Sequence, residues 1–198
     1  MGVMLLKRKL TSFQIIIIGF SGVILFGTFL LMLPFSSRSG LATPFFEALF
    51  TSTSAVCVTG LIIHDTATYW SVFGQIVILL LIQIGGMGVI TVAASFAMIS
   101  GRKISLMQRS TMQEAVAAPK MSGIVRLTGF IVRGTLVMEL LCAAVMAPVF
   151  CRDFGKKGLW MALFHSVSAF CNAGFDLLGV RTPFSSLTNY AANPVINF

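Results

Sequence analysis

The sequence predicts an all-α membrane protein assembled from parallel repeats, each a span, a short helix with a glycine turn, and a second span. Three observations carry that expectation. Only 10% of the 198 residues are charged against 57% hydrophobic, and mean hydropathy is +0.94; a soluble domain keeps about a quarter of its residues charged. Charge-free runs long enough to cross a bilayer alternate with apolar stretches too short to do so. One fourteen-residue window also returns 114 residues downstream.

The net charge of +8 does not turn the reading toward nucleic acid. Basic residues stand between apolar runs, as Lys7-Arg8-Lys9 and Arg102-Lys103 do, without a basic and aromatic platform. They read as topology signals. Cys57, Cys142, Cys151 and Cys171 contain no C-x-x-C pair and have no His-rich tract beside them, which argues against a zinc site, a redox site or a disulfide. No convergent set of His, Asp, Glu and Cys suggests an enzyme.

The first span runs from Phe13 to Leu33, about 21 residues without a charge. That length, with no small-residue cleavage site after it, separates it from a secretory signal. The second span lies within Thr66 to Gly101, which holds no Asp, Glu, Lys or Arg; it exceeds the bilayer and is expected to tilt. The third, Ser122 to Phe150, carries Arg126, Arg133 and Glu139. Thr43 to Ala55 and Leu159 to Phe170 are too short to span and read as re-entrant helices. The former opens with Thr43 as N-cap and Pro44 at the first helical position. Asn189 to Phe198 reads as the start of another span. Placing the N-terminus in the cytoplasm puts Lys7, Arg8, Lys9, Arg102, Lys103, Arg109, Lys120 and Arg126 inside. Arg38, Arg152, Lys156, Lys157 and Arg181 then lie outside, a bias that favours this orientation.

The recurring window is EALFTSTSAVCVTG at Glu47 to Gly60 and MALFHSVSAFCNAG at Met161 to Gly174. Identical pairs include Ser52/Ser166, Ser54/Ser168, Cys57/Cys171 and Gly60/Gly174. Two spans per unit return the chain to its starting side, so the units share one orientation and suit an axis along the membrane normal. Residues 1–121 form the first unit with a cytoplasmic linker, and residues 122–198 the second.

A short helix ending in a polar turn within the membrane leaves backbone groups that cannot face lipid, where each costs several kcal/mol. Such turns are tolerated where they line a path. Cys57-Val58-Thr59-Gly60 and Cys171-Asn172-Ala173-Gly174 are therefore expected to present carbonyls to a cation, as potassium filters do. The C-terminal ends of the preceding helices add partial negative charge there. Gly60 and Gly174 mark the crowded axis. The alternative is that both glycines merely end buried helices at C′. Asp65 and Asp176 are expected at the outer mouth, attracting cations. His64 and His165 have no metal partner.

The SAVCVTGL and SAFCNAGF turns, the IQIGGMGVI run and the basic ISGRKISLMQR linker resemble the Trk/Ktr/HKT superfamily of potassium uptake proteins, most nearly the membrane (pore) subunit of the bacterial Ktr system. The resemblance implies span–pore-loop–span repeats around a pore, four per chain, each giving one filter strand. It implies a homodimer in the full-length form, seated on a cytoplasmic ring of nucleotide-binding regulatory subunits, in the cell membrane. The chain departs from that pattern by stopping at Phe198, so an N-terminal fragment is expected, with one complete repeat and most of a second. The function implied is potassium uptake driven by the membrane potential, about 2.3 kcal/mol per charge per 100 mV, with sodium coupling an option and no organic cofactor. The rival is a secondary transporter with re-entrant loops for another substrate, which would call for inverted repeats.

Three further features stand out. Gly85-Gly86-Met87-Gly88 suits close packing on the first short helix, or a hinge. Arg133 can snorkel to the interface. Glu139 is open between tying a neighbouring helix and acting near the ion path. The 101–121 loop reads as a topology signal or a contact for a regulatory partner.

Overall fold

The computed structural model describes residues 11–89, 91–94, 106–115, 123–194 and 196. The Lys7-Arg8-Lys9 and Arg102-Lys103 clusters lie outside the described residues. Among those described the chain is helical, with no strand beyond an isolated Ser37–Trp70 bridge. In chain order come α1 (Ser12–Met32), α2 (Phe45–Val56), α3 (Thr66–Tyr69), α4 (Val72–Met87), α5 (Leu106–Ala115), α6 (Ile124–Phe154) and α7 (Lys157–Phe170). Short 3-10 turns occupy Pro34–Ser36, Leu178–Val180 and Ser186–Tyr190.

Helix α1 begins at a capping box in which Thr11 accepts from the Gln14 N–H and the Gln14 side chain from that of Thr11. Among the described residues it and α6 are the two helices long and apolar enough to cross a membrane. Both present large apolar side chains outward: Phe13 and Phe130 are each 74% exposed. Rows of such residues need an apolar solvent, and lipid supplies it.

The apolar run that holds the expected second span does not begin as one helix. A four-residue helix ends at Tyr69, and α4 restarts at Val72 with Ser71 accepting from the Gly74 N–H. The break has a cause in hydrogen bonding. The Ser71 N–H donates to Ser36 O (2.9 Å) and the Arg38 N–H to Tyr69 O (2.9 Å), so this segment pairs with the stretch that follows α1 instead of continuing a helix. The apolar run hid this, because hydropathy does not record where backbone groups find partners. At 16 residues α4 is about 24 Å long, and it stops at Gly88, whose φ is +82°.

Thr43 does not cap α2. Pro44 holds the N-cap position, and the Thr43 hydroxyl accepts from Tyr69 OH at 3.2 Å. Beyond α7 the described residues near 190 form a 3-10 turn, where the sequence suggested a span beginning.

One core joins the helices around Trp70, Ile78, Ile82, Phe150 and Phe164, all at most 1% exposed. Gly27 lets α1 approach both neighbours. A Cβ there would stand 2.6 Å from Ser52 Oγ and 2.7 Å from the Leu81 methyls.

Candidate functional site

The two short helices are anchored alike. Ser52 Oγ donates to Ile24 O on α1 at 2.8 Å, and its counterpart Ser166 Oγ donates to Glu139 O on α6 at 2.6 Å. A small hydroxyl at that position lets each helix lie against its preceding span without an orphaned polar group. Both serines sit in the recurring window, so the signal for this pair was in the sequence.

The turns that follow are superimposable in their hydrogen bonding. The Val58 N–H donates to Ala55 O and the Thr59 N–H to Ser54 O; the Asn172 N–H donates to Ala169 O and the Ala173 N–H to Ser168 O. These are paired Schellman caps. The residues at C′ are Val58 and Asn172, each at φ +56°. The C′ position is thus filled by a valine and an asparagine, and the glycines lie two residues further on. A β-branched residue in the left-handed region is costly, about 1–2 kcal/mol, and such outliers collect at functional sites.

Gly60 and Gly174 have nearly equal torsions, φ +74° and +73°. They also meet. A Cβ on Gly60 would stand 2.6 Å from Ala173 O and 3.2 Å from Gly174 Cα; one on Gly174 would stand 3.4 Å from Gly60 Cα. Both turns therefore converge on one place although 114 residues separate them. None of the hydrogen bonds among the described residues ends on the carbonyl oxygens of Val58, Thr59, Gly60, Asn172, Ala173 or Gly174. Cys57 and Cys171 are the C-caps of α2 and α7, so the negative ends of both helix dipoles point into the same region.

Helix α4 backs both turns. Gly85 lies against Val56, so that a Cβ would collide with Val56 O, and a Cβ on Gly86 would stand 2.5 Å from Cys171 Sγ. The glycines serve close packing, while Gly88 ends the helix. Glu139 is buried in α6 and accepts from Gln83 Nε2 on α4 at 3.0 Å. This makes it a partner of a neighbouring helix, which the isolated charge did not reveal, since nothing near Gln83 in sequence marks it.

The two aspartates differ. Asp65 is 6% exposed and does not open to solvent. Asp176 is half-buried, and its Oδ1 accepts from the Leu178 N–H at 2.8 Å. Burial pushes the Asp176 carboxyl above the usual carboxylate range, against the pull of that N–H and of His165, with Asp65 adding a smaller push upward. His165 itself accepts from the Leu177 N–H at Nε2, 3.2 Å away. His64 stacks on Tyr69 with ring centroids 3.8 Å apart and contacts Glu47 at 2.7 Å. Arg133 is exposed on the outer face of α6.

The cation transport protein family TrkH matches residues 7–198. The chain is 47% identical over 174 residues to the potassium/sodium uptake protein NtpJ of Enterococcus hirae, covering 87% of this chain and 39% of that one. It is 40% identical over 190 residues to Ktr system potassium uptake protein B of Bacillus subtilis, and 37% over 193 residues to its Vibrio alginolyticus namesake. Those matches cover 96% and 97% of this chain and 41% of each relative. The chain thus spans about 40% of the length of these relatives. Family match, relatives and helical membrane architecture agree, and the chain belongs to the TrkH family of cation transport proteins, which are transporters and not enzymes.

Proposed function

We propose that the two turns are filter strands of a potassium uptake pore and that parallel span–pore-loop–span repeats surround it. The observation that carries this reading is the meeting of Gly60 and Gly174 at equal positive φ, with free carbonyls on both sides. Carbonyls held open in the membrane need an occupant that replaces their lost partners, and a dehydrating cation does so. Names of the relatives support potassium, with sodium as a second ion. The driving force proposed is the membrane potential. In full-length form the proposed assembly is a homodimer on a cytoplasmic nucleotide-binding ring.

The test is potassium uptake by the full-length protein in a bacterium lacking its own uptake systems. Restored growth at low potassium is expected, and loss of that growth on blocking both turns with Gly60→Val and Gly174→Val. Uptake that persists in the double variant would remove the turns from the ion path.

Orientation is proposed as N-terminus inside. Ser37 is buried, so the informative site for external labelling is its exposed neighbour Ser39. In a background without native cysteines, Ser39→Cys should react with an impermeant maleimide added outside, and Arg109→Cys should not. The reverse pattern would invert the topology.

Asp176 remains a candidate mouth charge. Its neutralisation in Asp176→Asn should raise the KM for potassium about two- to fivefold at low ionic strength, and the difference should vanish near 0.5 M salt, where screening is nearly complete. A difference that survives high salt would assign Asp176 a contact role instead.

A further inference from the structure

The carboxylate of Asp65 joins the exits of the two turns. Its Oδ1 accepts from the Ala67 N–H (3.0 Å), the Thr68 N–H (2.9 Å) and Thr68 Oγ1 (2.9 Å), which caps α3. Its Oδ2 accepts from the Phe184 N–H at 2.9 Å, 119 residues away. Phe184 lies at φ +60°, a torsion that a bulky residue keeps only when its surroundings hold it. Gly179 lies directly against the same carboxylate, where any Cβ would collide with both oxygens and Cγ. Asp65 and Gly179 each stand five residues after their own filter-turn glycine. At equivalent positions of the two units, then, one contributes a carboxylate and the other the space for it.

From this geometry we infer that Asp65 is a specificity-determining positioning residue, a clasp that sets how closely the Gly60 and Gly174 turns face each other. This rests on the filter reading above. A buried carboxylate with four donors is committed to the fold and has little field left for the mouth. The chain between each glycine and the clasp is short: Leu61 to His64 on one side, Phe175 to Leu178 on the other. The second path is itself pinned, by Ser168 Oγ donating to Phe175 O (2.6 Å) and by the Leu177 N–H donating to His165. Movement at Asp65 therefore reaches the carbonyls over few free torsions.

The experiment compares Asp65→Asn, Gly179→Ala and Gly60→Ala in the full-length protein. Asparagine keeps an acceptor for the α3 amides but sets an N–H against the Phe184 N–H; Gly179→Ala displaces the carboxylate without changing any charge. Both are expected to lower the potassium-to-sodium uptake ratio about fivefold, at low and high ionic strength alike. The double variant should be no worse than either single one. Amide exchange in a peptide spanning residues 181–186 should quicken in both variants, a readout independent of transport. A mouth charge would instead give an Asp65→Asn defect erased by salt, an unchanged ratio and a silent Gly179→Ala, and that result overturns the inference. Unchanged exchange at Phe184 overturns it too. If Gly60→Ala shifts the ratio and the clasp variants do not, the filter reading stands and the clasp falls. If Gly60→Ala also leaves the ratio unchanged, the filter reading falls with it.

Discussion

Gly60→Ala in the full-length protein is expected to lower potassium-over-sodium uptake at least about tenfold, and to do more harm than Gly174→Ala. Two costs add at Gly60. Its φ of +74° puts an L side chain in the left-handed region, at about 1–2 kcal/mol. Its Cβ would also stand 2.6 Å from Ala173 O, a backbone atom of the facing turn that cannot swing aside. At Gly174 the torsion is the same, but a Cβ would meet Gly60 Cα at 3.4 Å, an ordinary contact. The difference between the variants therefore isolates the steric part. A loss of 1.4 kcal/mol in discrimination is a tenfold change, which the torsional cost alone approaches and the overlap exceeds. Tracer uptake of rubidium and sodium in the same cells measures it. Equal ratios in all three proteins, or a larger defect at Gly174, would contradict this account of the turns.

The turns were legible in sequence because their physics is local. A cap of fixed geometry, a serine that must find a carbonyl and a glycine that must make room each constrain a residue type, and both units obey the same constraints. That is why Ser52/Ser166, Cys57/Cys171 and Gly60/Gly174 match in the sequence itself. The C′ position is the exception: Val58 and Asn172 are unlike each other, and valine disfavours positive φ, so no residue type marks that position.

What could not be read were features settled by distant backbone. Thr66 to Gly101 looks uniform in hydropathy, yet the carbonyl of Ser36 breaks it by accepting from Ser71. Asp65 follows the Gly60 turn, a position that suggests a mouth charge, but its partner amide lies at Phe184. Neither contact leaves a local pattern, since a backbone N–H or C=O is available at almost every residue. Gln83 and Glu139 teach the same point inside the membrane. A glutamate in a span announces a cost, while the residue that meets it is known only once α4 and α6 lie side by side.

Gly85→Ala is expected to cost about 1–3 kcal/mol of stability, the usual range for overpacking, despite alanine being the better helix former. Propensity alone favours the substitution by about 1 kcal/mol in a helix interior. Gly22 in α1 provides that baseline: it is exposed, and a Cβ there meets nothing within 4 Å. At Gly85 the same methyl would collide with Val56 O and stand 2.8 Å from its carbonyl carbon and 3.0 Å from its Cα. All three are backbone atoms in the last turn of α2, one residue before the Cys57 cap. They cannot relax by a change of rotamer, so α4 and α2 must part, and the Cys57–Gly60 turn that α2 carries moves with them. Gly86→Ala should be milder: of the Cys171 atoms its Cβ would meet, Sγ (2.5 Å) can turn away, which leaves an overlap with Cys171 Cβ (2.8 Å) smaller than that with Val56 O at Gly85. Thermal inactivation half-lives of the full-length variants in detergent, with potassium present, should rank Gly22→Ala at or above the parent, then Gly86→Ala, then Gly85→Ala. Potassium should protect the parent more than Gly85→Ala, since a cation stabilises the folded state only as far as the turns still bind it. A Gly85→Ala protein as stable as Gly22→Ala and equally protected would mean that α4 does not press on the end of α2.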